Sequence, residues 1–135
     1  MKTHILKYSL LILLFNMSCA SPSVQQPISE RLTADFFEQK IKDLKSPLIL
    51  DVRTPEEFER GHLNNAKNVN YNEPLVMKQL LESLDPNQPI LVYCAAGGRS
   101  SKTIELMLEL GFNEVYELTK GINGWEAAGK PITKD

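Results

Sequence analysis

The segment best suited to chemistry joins an apolar run to a predicted helix. It begins at Cys94 and continues through Ala95, Ala96, Gly97, Gly98, Arg99 and Ser100. Small residues and glycines let the backbone turn tightly with its N–H groups inward, and the helix start adds positive partial charge. Inward amides and a helix N-terminus together bind anions. We therefore predict an anion cradle at the carboxyl end of a strand.

Cys94 lies at the edge of this predicted cradle, close in sequence to the cationic Arg99. Such surroundings lower the pKa of a thiol from about 8.5 to between about 3.5 and 7.5. The thiolate is the reactive form, so Cys94 is predicted to be a nucleophile. The alternative is a buried cysteine that only fills the core.

The elements that must position this segment alternate between strand and helix from residue 28 onward. We predict strands at 48–52, around Val69, at 90–93 and at 114–118. We predict helices from the N-cap Thr33 to Pro47, at 55–60, at 75–84, at 100–110 with Gly111 as its C-cap, and at 122–128. Such alternation predicts a single α/β domain over 28–135, with a central parallel sheet flanked by helices on both faces. Ligands of these sheets bind beyond the carboxyl ends of strands, where Cys94 is expected.

The first eighteen residues have the pattern of an export signal. Lys2 and Lys7 precede an apolar run at 8–15, which is too short to cross a bilayer because a spanning helix needs about 20 residues. Residues 19–27, rich in Ser, Pro and Gln, are predicted to form a flexible tether. The protein is therefore expected to be exported to the periplasm or cell envelope.

Two processing routes fit the end of this signal. Ser18 and Cys19 can end a lipobox, so that Cys19 is acylated and anchors the protein to a membrane, although Asn16 departs from the usual leucine. Alternatively, cleavage follows Ala20 and the mature chain carries no lipid. We favour the lipid anchor. By either route Cys94 has no cysteine partner in the mature chain, which points to a reactive thiol.

Charge argues against a nucleic-acid partner. The formal net charge of −2 becomes −4 once the two lysines of the leader are removed, and the chain has no basic run. The remaining residues are enough for one compact domain. We expect a monomer that contacts a membrane only through the N-terminal lipid.

Three motifs in the sequence resemble the rhodanese superfamily. The first is Asp51-Val52-Arg53-Thr54-Pro55-Glu56-Glu57-Phe58 followed by Gly61-His62-Leu63 and Ala66-x-Asn68-Val69. The second is Tyr93-Cys94-Ala95-Ala96-Gly97-Gly98-Arg99-Ser100-Ser101, and the third is Gly121-Ile122-x-Gly124-Trp125 followed by Gly129-Lys130-Pro131-Ile132. Asn65, Asn70 and Lys120 depart from the family's usual residues at turn and packing positions. The three motifs occur in the family's order and spacing and cover most of residues 28–132.

The resemblance implies a sulfurtransferase that carries sulfur as a persulfide on Cys94. A small sulfur-containing anion such as thiosulfate would donate the sulfur, and cyanide or a thiol would accept it. Residues 95–100 would bind the donor through loop amides and Arg99, and no metal or organic cofactor is required. For Arg99, helix capping is the alternative to a substrate-binding role.

Three other polar residues are expected to support the structure. Asp51 and Arg53 are interpreted as a scaffold pair at a strand end, and His62 as a hydrogen-bonded residue in a turn rather than a general base. Trp125 is interpreted as a packing residue.

The same residues are compatible with two other functions. Cysteine-based phosphatases and arsenate reductases also place Cys and Arg around an anion cradle, but related phosphatases have one more residue between them than the four at 95–98. A sulfur-relay or binding module without turnover would need the same persulfide, so the residues alone do not separate it from an enzyme.

Overall fold

The computed structural model describes residues 25–45 and 47–134. The predicted leader, Cys19 and most of the predicted tether lie outside these residues. Within them the elements follow the order β1 (Ile28–Leu32), α1 (Ala34–Asp43), β2 (Leu48–Asp51), α2 (Pro55–Glu59), β3 (Ala66–Asn68), α3 (Pro74–Ser83), β4 (Ile90–Tyr93), α4 (Gly98–Glu109), β5 (Glu114–Leu118) and α5 (Gly121–Ala127). In the described part of the chain, no helix is long and apolar enough to cross a membrane.

The strands form one parallel sheet in the order β1-β5-β4-β2-β3. Strand β4 lies in the middle, with Leu48 of β2 opposite Ile90 and Val115 of β5 also opposite Ile90. All four residues of β4 are buried, as expected of a central parallel strand that helices cover on both faces. The carboxyl end of β4 therefore meets the loop that begins at Cys94.

Alternate residues of the strands pack into two separate cores. On one face Leu50, Val92 and Cys94 pack against residues of α3 and α4 such as Met77 and Met107. On the other face Ile49, Leu91 and Tyr93 pack with Phe37 of α1 and with Ile122 and Trp125 of α5. The predicted parallel α/β domain with helices on both faces is confirmed.

One strand of the sheet was not predicted from the sequence, and another ends earlier than predicted. Strand β1 was not predicted, because its sequence Ile-Ser-Glu-Arg-Leu is mostly exposed at the sheet edge and lacks an apolar run. The strand predicted around Val69 ends at Asn68, although the amide of Val69 still donates to the carbonyl of Asp51 at 2.9 Å. Helix α1 ends at Asp43, before the predicted stop at Pro47.

The start of α5 holds the first residues of the Cys94 loop. The amides of Ile122 and Asn123 donate to the carbonyl oxygens of Cys94 and Ala95, at 2.9 and 3.1 Å. Gly121 allows this approach because its φ is 55° and because a Cβ there would lie 2.3 Å from the Cys94 oxygen. The third motif therefore supports the second through backbone contacts.

Replacing Gly121 with alanine is expected to destabilise the fold more than the same change at Gly111. Gly111 also has a positive φ, of 87°, and left-handed backbone costs other residues about 1–2 kcal/mol. Only at Gly121 would the new Cβ meet backbone atoms, since nothing lies within 4 Å at Gly111. Urea unfolding of both variants measures the difference. Equal losses would contradict a tight contact between α5 and the loop.

Candidate functional site

The Cys94 thiol lies inside a tight turn between β4 and α4. Its Sγ accepts a hydrogen bond from the amide of Gly97 at 3.1 Å and lies 3.4 Å from the hydroxyl oxygen of Ser100. Gly97 is the residue before α4 and has a φ of 107°. A Cβ at this position would lie 2.6 Å from the carbonyl oxygen of Thr119. The glycine therefore lets the backbone turn its amide toward the sulfur.

Opposing effects determine the ionisation of Cys94. The residue is buried, with 1% of its surface exposed, and burial alone raises the pKa of a thiol. Hydrogen bonds from the Ser100 side chain and from the amides of Ser100, Gly97 and Ala96 favour the thiolate. Together they outweigh burial, so the pKa of Cys94 lies below that of an ordinary cysteine. Of the residues predicted to bind the anion, Ala96, Gly97 and Ser100 thus contact or surround the sulfur.

Arg99 extends from the start of α4 toward α2. Its Nη1 and Nη2 donate to the two carboxylate oxygens of Glu57, at 2.7 and 2.8 Å. This two-bond ion pair lowers the pKa of Glu57 to about 2. It also raises the pKa of Arg99, to which the nearby Cys94 contributes as well. The main partner of the guanidinium is therefore a carboxylate of another helix.

Glu57 is a residue of this site that was not predicted from the sequence to have a role of its own. Its side chain accepts from the amide of Thr54 at 3.0 Å, while the Thr54 hydroxyl accepts from the amide of Glu57 at 3.3 Å. This reciprocal pair is a capping box, and the Thr-x-x-Glu spacing at 54–57 is its sequence signal. Helix α2 thus fixes the carboxylate that binds Arg99.

Asp51 and Arg53 form a buried ion pair at the carboxyl end of β2. Arg53 Nη2 lies 2.6 Å from Asp51 Oδ2 and donates to the carbonyl oxygen of Gly61 at 2.7 Å. Burial lowers the pKa of Arg53, but hydrogen bonding and charge attraction by Asp51 outweigh it and leave the pKa raised. The pair connects β2 to the turn before His62.

His62 lies in that turn and contacts other parts of the fold. Its ring stacks on Phe58 with centroids 3.8 Å apart, and Nδ1 lies 3.1 Å from the Phe58 carbonyl oxygen. Its backbone pairs with Thr133 through hydrogen bonds of 2.9 and 2.8 Å. These contacts join the first motif to the residue that directly follows the third.

A second unpredicted carboxylate lies behind the loop. Glu117 of β5 is 2% exposed, and its Oε1 accepts from the hydroxyls of Ser100 and Ser101, both at 2.8 Å. Its Oε2 lies 2.8 Å from Nε of Arg31 on β1. A charged residue in a strand expected to be buried was the signal in the sequence, since such residues are rarely buried without partners.

A cavity of about 310 Å³ opens beside Ala95, with Glu57, Arg60 and Asn123 in its lining. Gly98, another of the residues predicted to bind the anion, is the first residue of α4 and is exposed. Among residues 25–45 and 47–134, no three His, Cys, Asp or Glu side chains cluster as metal ligands.

Comparisons with known proteins give the same family for most of the described chain. Residues 33–128 match the rhodanese-like domain. Thiosulfate sulfurtransferase GlpE of Vibrio cholerae is 32% identical over 94 residues, which are 70% of this chain and 86% of the relative. Thiosulfate sulfurtransferase 16, chloroplastic, of Arabidopsis thaliana is 36% identical over 91 residues, or 61% of this chain and 76% of the relative.

A solved structure agrees with these sequence matches. The crystal structure of a rhodanese-related protein from Thermoplasma volcanium has a TM-score of 0.68 to this chain at 27% identity. It covers 78% of this chain and 99% of that protein. On its sequence, its sheet order and the loop around Cys94, this chain belongs to the rhodanese-like domain family.

Proposed function

We propose that this protein is a sulfurtransferase that carries sulfur on Cys94. The observation that supports this best is the buried thiol, whose pKa is lowered by loop amides and Ser100. The thiolate attacks the outer sulfur of a donor such as thiosulfate. A sulfur–sulfur bond to Cys94 forms as the donor's own sulfur–sulfur bond breaks, and sulfite leaves with the electron pair.

The second half of the cycle returns Cys94 to its starting state. An acceptor nucleophile, such as cyanide or a thiolate, attacks the outer sulfur of the persulfide, and Cys94 leaves as the thiolate. The loop amides stabilise negative charge on sulfur in both states because they are fixed before the reaction. The cycle needs no metal or organic cofactor. The alternative function is a sulfur-relay module. It would form the same persulfide and pass the sulfur between partner proteins, without turnover of small molecules.

The dimensions of the loop support sulfur rather than phosphate as the transferred group. Only residues 95–98 separate Cys94 from Arg99, and Gly97 already directs its amide at the sulfur at 3.1 Å. The group transferred to Cys94 is then a single sulfur atom, which this short loop suits better than the larger tetrahedral phosphoryl group of a phosphatase. We assign the binding of a small donor to the cavity that has Ala95 in its lining.

We further propose that the protein acts as an exported monomer, anchored through an acylated Cys19. The support is the leader sequence with Ser18 and Cys19 at its end. Acyl chains of a bacterial lipoprotein anchor a domain stably, whereas one chain gives only marginal binding.

Thiosulfate treatment should add one sulfur atom to the protein, and cyanide or a reducing thiol should remove it. The reason is the nucleophilic thiolate in the loop, and intact-protein mass spectrometry measures the change. Cys94→Ser is the matched control, since it keeps the size of the side chain and removes the nucleophile. An adduct that persists in Cys94→Ser, or an unchanged mass in the native protein, would refute the proposed persulfide.

Arg99→Ala should lower kcat/KM for thiosulfate about tenfold or more, because a hydrogen bond to a charged group contributes about 1.5–3 kcal/mol. With an uncharged organic trisulfide as donor, the loss should be small. Glu57→Gln should have the opposite effect on thiosulfate, since it retains the cap of α2 and frees the guanidinium. Equal losses with both donors would indicate instead that Arg99 supports the helix start.

Cys19→Ser should release the protein from the membrane fraction or block its processing. Fractionation in high salt and amino-terminal sequencing measure the outcome, with the native chain as control. A mature protein that starts at Ser21 and carries no lipid would contradict the anchor and leave the chemistry of Cys94 unaffected.

A further inference from the structure

The carboxyl group of Glu117 lies in the interior, directly behind the proposed reactive loop. Its carboxylate is 2% exposed, and a buried charge is costly unless partners satisfy it. Ser100 and Ser101 donate to Oε1, and Arg31 bonds Oε2. The proposed sulfur transfer assigns this carboxylate no role.

The Ser100 hydroxyl connects Glu117 to the reactive sulfur. Three acceptors lie within its reach: Oε1 of Glu117 at 2.8 Å, the carbonyl oxygen of Gly97 at 3.2 Å and Sγ of Cys94 at 3.4 Å. A hydroxyl has a single hydrogen to donate but also lone pairs to accept. The orientation of this one hydrogen therefore differs according to which acceptor binds it most strongly.

The orientation affects the two forms of Cys94 differently. When Ser100 donates to Glu117, only a lone pair faces the sulfur, which suits a protonated thiol as donor. A thiolate is stabilised when Ser100 turns its hydrogen to the sulfur instead. Glu117 then still has Ser101 at 2.8 Å and Arg31 at 2.8 Å as partners, so neither arrangement leaves the carboxylate unpaired.

The charged groups around Cys94 come from several elements. They are Arg99 from α4, Glu57 from α2, the Asp51–Arg53 pair at the end of β2, Glu117 from β5 and Arg31 from β1. Each cation in this set is paired with a carboxylate. Glu117 is the member that shares a hydroxyl with the sulfur.

We propose that Glu117 is a positioning residue that sets, through the Ser100 hydroxyl, the fraction of Cys94 that is ionised at a given pH. It competes with the sulfur for the Ser100 hydrogen and so favours the thiol, whose proton passes to solvent when the thiolate forms. The inference rests on the proposed function in taking the thiolate as the reactive form.

Glu117→Gln should lower the midpoint pH for alkylation of Cys94 by iodoacetamide, by about 0.5–1 pH unit, because a neutral amide oxygen is a weaker acceptor than a carboxylate. Ser100→Ala alone should raise this midpoint, since it removes a donor to the thiolate. In the Ser100→Ala background, Glu117→Gln should leave the midpoint nearly unchanged. An equal shift with and without the Ser100 hydroxyl would overturn the inference, because it would show that the charge acts directly through space.

Two further variants keep the test decisive. Ser101→Ala removes a hydroxyl from the same carboxylate without touching the sulfur, so the midpoint should not fall. If Glu117→Gln does not fold, Arg31→Gln replaces it, because Arg31 is 61% exposed. Without its cation, Glu117 is a stronger acceptor and should raise the midpoint, but only while Ser100 is present. A lowered midpoint, or a rise that persists in Ser100→Ala, would contradict the inference.

Alkylation requires no sulfur donor, so its result is independent of the proposed transfer. A protein that forms no persulfide but shows the Ser100-dependent shift would refute the sulfurtransferase and retain the role of Glu117. A protein that transfers sulfur but does not show the shift would support the sulfurtransferase and refute the role of Glu117.

Discussion

The hydrogen bonds from the start of α5 to the carbonyls of Cys94 and Ala95 fix the position of the reactive loop. They leave the loop amides free to turn inward, because the opposite side of the same backbone is already occupied. Gly121 permits this contact, since a side chain there would collide with the loop. The shape of the Cys94 loop therefore depends on a close backbone contact between segments that are distant in sequence.

Ion pairs around the site leave the loop amides as the main source of positive potential. Arg99 is bonded to Glu57, Arg53 to Asp51 and Arg31 to Glu117. The helix start and the inward amides cannot be neutralised in this way, because their partial charges belong to the backbone. A thiolate is thus stabilised by groups that are held in place before any substrate arrives.

The sequence was sufficient to predict the parts of the fold whose signals are local. The apolar run of β4 and the glycines after Cys94 predicted a strand, a turn and a helix start, and the structure contains these elements. Strand β1 lacks such a run, so its place at the sheet edge follows only from pairing with β5. The bond between Glu57 and Arg99 was not predictable from spacing, since it joins two helices through the tertiary fold.

Burial of Cys94 also affects how readily its thiol forms a disulfide with another protein. A disulfide with another protein requires Cβ atoms about 3.8 Å apart, and a thiol that is 1% exposed does not permit a second backbone to approach so closely. The outer sulfur of the proposed persulfide would extend one bond farther and be easier to reach. In the proposed transfer, the depth of the thiol would leave the outer sulfur accessible to an acceptor and shield the Cys94 sulfur from a bulky protein thiol.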